Sequence, residues 1–283
     1  IIDEATQILE PQLLWILTAK SSDGQHAVDK FVLIGDHKQL PAVVLQNKES
    51  SEVYDEGLRS IGLYNLKDSL FERLYRFHLQ EEDSSALDML CKQGRMHPDV
   101  ASFPNQAFYG GKLQPVGLPH QLEKLDTPVL FIPSRKDHQS VSGKTNQDEA
   151  RMAADLAEQV WKEYGEHFSS NRSLGIITSY RSQIALIRRE LQDKGIPALM
   201  EVSVDTVERY QGSEREVILY SFCVNYRHQL KYLSNLTEEN GVQIDRKLNV
   251  VLTRARKRLV VIGVKDILME NPIYRSFIAS CTK

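Results

Sequence analysis

The stretch LGIITSYRSQIALIRRELQDKG (174–195) carries two different patterns in succession. Leu174 to Thr178 is a short apolar, β-branched run without polar alternation, as in a strand covered on both faces. From Tyr180 the pattern is helical, and it stops at Gly195, a common helix end. A buried strand feeding a helix is half of a crossover unit.

The same signature recurs along the chain. Strand-like runs are FVLIG (31–35), VLFIP (129–133), EVSVDTV (201–207), VILYSFCV (217–224) and LVVIG (259–263). Helical patterns are LEPQLLWILTAK (9–20) and DEARMAADLAEQVWKEYG (148–165). Their alternation predicts an α/β protein with parallel sheets and crossover helices. PVGLPHQLEKLDTP (115–128) has three prolines and no clear period, so it is expected to be a linker. Residues 129–283 then form a fairly complete second lobe, and residues 1–114 hold part of a first.

Composition narrows the class. The 283 residues are 41% hydrophobic and 26% charged, which suits one large globular domain or two ordinary ones. A net charge of -3 makes no bulk case for nucleic acid, although a local basic stripe is compatible with it. Cys91, Cys223 and Cys281 lie far apart with no C-x-x-C pair. That argues against a zinc site or a disulfide framework and fits a reducing cytosol or nucleus. The sequence shows neither an apolar stretch of membrane-spanning length nor a signal-peptide pattern.

Five segments hold residues suited to chemistry. In IIDEATQ (1–7), Asp3 and Glu4 follow a scrap of strand, where acids hold Mg²⁺ or activate water; alternatively they cap the helix near Leu9. In LIGDHKQLPAVV (33–44), Gln39 can reach a phosphate from a strand end, or the segment is an ordinary turn. QGRMHPDVASFPNQAFYGGKL (93–113) places Arg95 before a helix, as an arginine finger or a surface ion pair. In VDTVERYQGSEREVILYSF (204–222), Gly212 permits close backbone approach and Glu214 can accept from a ribose, or the loop is a solvated charge run. RKLNVVLTRARKRLVVIG (246–263) is basic; Arg254 and Arg258 would share a face if it were helical.

The order and spacing of these segments resemble superfamily 1 helicases of the 5′-to-3′ branch, the group of the nonsense-mediated decay helicase and related DNA replication and repair helicases. IIDEATQ resembles motif II, GDHKQLP motif III, and GRMHP the arginine-bearing motif that follows. IITSYRSQ resembles motif IV, VDTVERYQGSERE motif V and LNVVLTRARKRLVVIG motif VI. The resemblance covers essentially the whole chain. It implies two RecA-like P-loop NTPase lobes, the first incomplete, closing over ATP and Mg²⁺.

The resemblance also implies roles. Asp3 would hold Mg²⁺, and Glu4 would activate the attacking water. Gln39 would contact the γ-phosphate, with Arg95 and Arg254 reaching it as well. Gly212 and Glu214 would lie at the nucleotide. Pro41, Thr178, Tyr180 and Thr206 would line a single-stranded nucleic-acid track, DNA being favoured over RNA. Tyr180 and Tyr210 are candidate stacking platforms, or simply packing.

One family element is missing from these residues, the phosphate loop G-x-x-x-x-G-K-[ST]. SVSGKT (140–145) looks like its second half but has His138 where the first Gly belongs. A plainer reading has Asn146 and Glu149 as a capping box opening the helix at 148–165. The expectation is therefore a C-terminal motor portion, beginning at motif II and inactive in ATP hydrolysis by itself. An ATP-driven translocase that remodels protein–nucleic acid complexes, and a non-hydrolysing nucleic-acid-binding scaffold, are the alternatives.

Overall fold

The computed structural model describes residues 1–47, 49–81, 85–239 and 241–281. It forms two compact units, Ile1–Leu90 and Cys91–Lys283.

In the first unit Ile2 lies parallel to Leu33. Ile2 N donates to Val32 O and Ile34 N donates to Ile2 O, both at 2.8 Å. Among the described residues this bridge is the whole of the strand expected at 31–35, and Phe31, Val32 and Ile34 remain exposed. Three helices follow: α1 (Glu10–Leu17), α2 (Glu56–Ser60) and α3 (Leu70–Gln80). Pro11 sits in the first turn of α1, where a missing N–H costs nothing. Sequence reading did not mark α3. Its start is a capping box, with Ser69 Oγ accepting from Glu72 N and the Glu72 carboxylate accepting from Ser69 N. Arg73 joins α3 to α1 through two bonds to Glu10, at 2.8 and 2.6 Å.

The second unit opens with β1 (Lys92–Gln93), α4 (Pro98–Phe108), β2 (Gln114–Pro115) and α5 (Pro119–Leu122). Then come β3 (Val129–Pro133), α6 (Gln147–Tyr164), β4 (Leu174–Thr178), α7 (Arg181–Asp193), α8 (Pro197–Met200), β5 (Ser203–Thr206), α9 (Val207–Tyr210) and β6 (Arg215–Ser221). The chain continues through α10 (Leu230–Leu233), β7 (Leu236–Glu239), β8 (Val242–Asp245), α11 (Arg246–Leu252), β9 (Ala255–Gly263), α12 (Lys265–Leu268) and α13 (Pro272–Ser280). Five strands make one sheet in the order β3-β9-β6-β4-β5, every pair parallel. The sheet is covered on both sides, so its strands read as unbroken apolar runs. One face, including Leu174, Ile176, Val204, Leu219 and Ile262, packs on α6. There Ala150, Ala153, Ala154 and Ala157 form a small-residue stripe at helical spacing and are fully buried. Tyr220, Phe222 and Tyr274 form a second buried cluster, with ring centroids 4.5 and 5.0 Å apart in sequence.

Sequence grouping puts residues 91–114 with the first lobe and 115–128 in a linker. The structure places both in the second compact unit. β1 pairs with β2, α4 packs on α11 and β9, and His97 N donates to Arg256 O at 2.7 Å.

Candidate functional site

The parallel strands bring the expected residues of the second unit to two opposite edges of one sheet. At the amino edge, Arg215 of β6 is in register with Ala255 of β9. That pairing sets Glu214 beside Arg254 and Arg256. Glu214 Oε2 accepts from Arg95 Nε at 2.7 Å, and its Oε1 accepts from Arg256 Nη1 at 3.3 Å. Arg95 Nη1 also reaches Thr253 O at 3.5 Å. Burial works to raise the Glu214 carboxyl, but Arg95, with Arg256 and Arg254 behind it, outweighs burial and holds it below the usual carboxylate range. Arg254 is only 2% exposed. Its Nε donates to Val250 O at 3.1 Å and its Nη2 to Thr253 Oγ1 at 3.0 Å. Gly212 has φ +80 and open space around it, so its backbone is accessible and favours glycine.

At the carboxyl edge, Thr178 is in register with both Thr206 and Ser221. Tyr180, two residues past β4, is the N-cap residue of α7 and accepts from Gln229 Nε2 at 3.3 Å. Thr178 is fully buried, and its Oγ1 has no hydrogen-bond partner among the described residues. Tyr210 belongs to the core: it is 3% exposed and its hydroxyl shares a 2.6 Å bond with Ser203 Oγ. Gly175 makes room for it, since a Cβ there would stand 2.8 Å from Tyr210 Cζ. β6 has seven residues, so the two edges lie about 20 Å apart.

The helix envisaged over Arg254 and Arg258 does not form. α11 ends at Leu252 and β9 begins at Ala255, so Arg258 pairs with Glu163 at 2.6 Å from within a strand. The breakdown of helical spacing between the apolar runs of α11 and β9 was the available signal. Sequence reading also left Arg256 and His120 without roles. Arg256 is hidden among neighbouring cations, and His120 falls in the Pro-rich segment.

In the first unit, the Asp3–Thr6 turn lies against the segment carrying Gln39. A Cβ on Gly35 would stand 3.0 Å from Thr6 N, so only glycine permits that approach without displacement. Glu4 adopts φ 51, and its Oε2 accepts from Gln7 Nε2 at 2.5 Å. Asp3 Oδ1 accepts from Glu4 N at 2.9 Å, and both acids are exposed. Gln39 Nε2 donates to Asp36 Oδ2 at 2.8 Å, and Pro41 is half-buried.

SVSGKT is not built as a phosphate cradle. Such a loop presents backbone N–H groups to the anion. Here Gly143 N donates to Ser140 O, Lys144 N to Ser142 Oγ and Thr145 N to Ser140 Oγ, at 3.1, 3.2 and 3.3 Å. The expected capping box forms only in half. Asn146 Oδ1 accepts from Glu149 N at 2.9 Å, but Asn146 N donates to Gln183 Oε1. The Glu149 carboxylate turns inward, accepting from Ser221 Oγ (2.7 Å), Cys223 N (2.8 Å) and Ser134 Oγ (3.1 Å). Burial pushes it up to about 7, against those hydrogen bonds.

A parallel sheet flanked by helices, with the candidate residues divided between the two strand edges, is an α/β domain consistent with a RecA-like P-loop NTPase lobe. Residues 66–266 match a family described as "AAA domain", residues 1–47 match a second family of the same description, and the chain belongs to the AAA domain family. It is 29% identical over 289 residues to "Helicase sen1" of Schizosaccharomyces pombe, covering 98% of this chain and 15% of that protein. It is 32% identical over 301 residues to "DNA replication ATP-dependent helicase/nuclease dna2" of the same organism, covering 96% and 19%. It is 30% identical over 292 residues to "Regulator of nonsense transcripts 1" of Dictyostelium discoideum, covering 99% and 19%. The chain is thus a superfamily-1-like helicase domain related to these proteins, and it spans less than a fifth of the length of each. Among the described residues no helix is long and apolar enough to cross a membrane.

Proposed function

We propose that the chain is the C-terminal motor part of an ATP-hydrolysing 5′-to-3′ nucleic-acid helicase acting on single strands, with DNA the first substrate to test. The observation that carries this reading is the amino-edge cluster, where the guanidiniums of Arg95, Arg254 and Arg256 gather around the single carboxylate of Glu214. Phosphoryl transfer is catalysed largely by positioned positive charge, and fingers of this kind contribute about 10³–10⁵ in rate.

In this reading Arg95 and Arg254 act on the transferring phosphoryl group. Glu214 exchanges its ion pair with Arg95 for the ribose hydroxyls, and the open turn at Gly212 lets backbone approach the nucleotide. Glu4 takes the proton of the attacking water, and Gln39 orients the γ-phosphate. Mg²⁺, when bound, neutralises phosphate charge; a single exposed carboxylate such as Asp3 suits it, because phosphates and water fill its other positions. Tyr180 and Pro41 contact the strand without reading its sequence, while Thr178 and Thr206, also expected there, are buried at the carboxyl edge of the sheet.

Single-strand-stimulated ATP turnover of the intact protein tests the reading, in wild type and in Arg95→Ala and Arg254→Ala. Arg95, partly exposed, separates chemistry from folding. We expect turnover to fall at least about 10³-fold in each variant. Wild-type turnover in Arg95→Ala would sink the cluster as the site of hydrolysis.

A further inference from the structure

The segment carrying α5 is not a passive connection. It is fastened to the Arg95 loop by three side-chain bonds and to Arg256 of β9 by a fourth. His120 Nε2 lies 2.8 Å from Arg95 O. His120 Nδ1 lies 3.3 Å from Arg256 Nη2. Gln121 Nε2 donates to Gln93 O at 3.0 Å and to Met96 O at 2.9 Å. Both side chains are buried, His120 at 7% and Gln121 at 3% exposure. Gln121 is itself held, since its Oε1 accepts from Gly117 N and Leu118 N, each at 3.0 Å. A third histidine contact closes the segment, with His97 Nε2 2.8 Å from Glu123 O.

The chemistry of these partners fixes the state of His120. A carbonyl oxygen only accepts, so Nε2 carries the proton. A guanidinium only donates, so Nδ1 is the bare acceptor. These partners match His120 with its proton on Nε2, bridging two arginines by taking one through its backbone and the other through its side chain. A protonated ring would aim a second N–H at Arg256.

We propose that His120 is a positioning residue for hydrolysis, setting the Arg95 backbone and the Arg256 guanidinium in one register around Glu214, with Gln121 bracing the loop from the other side. The role rests on the hydrolysis reading given above. His120 acts through Arg95 and Arg256. Its effect is on where Arg95 stands when charge develops, and a displacement of about 1 Å in such a group can cost about 10²-fold in rate.

Three measurements test it. Imidazole ¹⁵N correlation spectra of this chain, with the His120 signals assigned by their loss in His120→Gln, should show Nε2 protonated and Nδ1 bare. The Nδ1–H tautomer, or a doubly protonated ring at neutral pH, overturns the geometry. Steady-state turnover of the intact protein should show kcat reduced by about tenfold or more in His120→Ala, with KM for ATP and the affinity for ADP within twofold of wild type. His120→Gln, which keeps an N–H within reach of Arg95 O, should recover part of the loss. Wild-type kcat in His120→Ala, or ADP affinity falling in step with kcat, overturns the positioning role. If wild-type protein shows no turnover with any single strand, the hydrolysis reading falls and takes this role with it. That outcome is seen before any variant is made.

Discussion

Glu214 Oε2 lies 2.7 Å from Arg95 Nε, joining positions 119 residues apart in the chain. The pair sits where a sheet edge, a short loop and the end of α11 converge. Both side chains are more than a third exposed, so water screens them and the bond is weak as a source of stability. Its value is in holding Arg95 at the edge of the sheet.

Replacing Glu214 with Ala should therefore separate stability from ligand binding. The melting midpoint should move little, because exposed pairs of this kind contribute about 1 kcal/mol or less. ADP affinity should fall about tenfold through loss of the ribose acceptor, a change of about 1.4 kcal/mol. Calorimetric titration with ADP beside a thermal melt makes the comparison; an unchanged ADP affinity removes Glu214 from the nucleotide site.

Glu149 should leave a signature in the pH dependence of folding. Its folded value is raised from 4.5 to about 7 by burial, so between those values the folded state binds the extra proton. The unfolded state binds fewer, and stability from this group falls as pH rises. The contribution is fully present below about pH 4.5 and gone above about pH 7, an amount of up to about 3 kcal/mol. Urea unfolding of wild type and Glu149→Gln at pH 5, 6 and 7.5 isolates this term from the other carboxylates. A difference between the two proteins that does not change with pH would refute it.

Gly175→Ala should be among the costliest single-methyl additions in the second unit. The new Cβ would collide with the Tyr210 hydroxyl and stand 2.9 Å from Arg215 Cγ in a strand paired on both sides. Overpacking of this kind costs about 1–3 kcal/mol, which lowers the melting midpoint by several degrees. A midpoint equal to wild type would show that Tyr210 moves aside without penalty.

The two edges should also respond separately. Tyr180→Ala is expected to weaken single-strand binding at least about threefold and leave ADP affinity unchanged. Arg95→Ala should lose turnover and leave strand binding unchanged. Strand affinity should fall steeply with salt and vary little with base sequence, since phosphates provide the contacts. Fluorescence anisotropy with labelled oligonucleotides at two salt concentrations reads both effects. Parallel losses in both assays for Tyr180→Ala would show that the edges are not separate sites.

Lys144→Ala should leave ATP turnover unaltered. The amides of Gly143, Lys144 and Thr145 are already bonded within their own loop, and Lys144 is exposed. Turnover abolished by this change would make SVSGKT a true phosphate loop.

The sheet of the second unit was legible because burial on both faces leaves strands as unbroken apolar runs. VLFIP and LGIIT match β3 and β4 residue for residue. Arg95, Glu214 and Arg254 were legible as motif residues expected at one nucleotide, but the ion pair between Arg95 and Glu214 was not, because register between β6 and β9 is not written locally. The Pro-rich segment misled for a physical reason. Prolines at a first helical turn favour a short helix as readily as they break a long one, and Pro119 opens α5 in that way. The inward turn of Glu149 escaped notice because the same N-x-x-E spacing serves a solvent-facing cap equally well. The stub at 31–35 shows the converse: residues of high strand propensity form only as much ladder as a neighbour pairs with.

β6 has one further consequence. Glu214 precedes its first residue, and Ser221, bonded to Glu149, is its last. Neighbouring strands hold it on both sides from Val217 to Ser221, but its register against β9 shifts between Arg215 and Val217. The paired part is stiff, and the irregular step beside Glu214 is where the strand yields first. Any displacement of Glu214 would meet that irregular step before reaching Ser221, which stands level with Thr178.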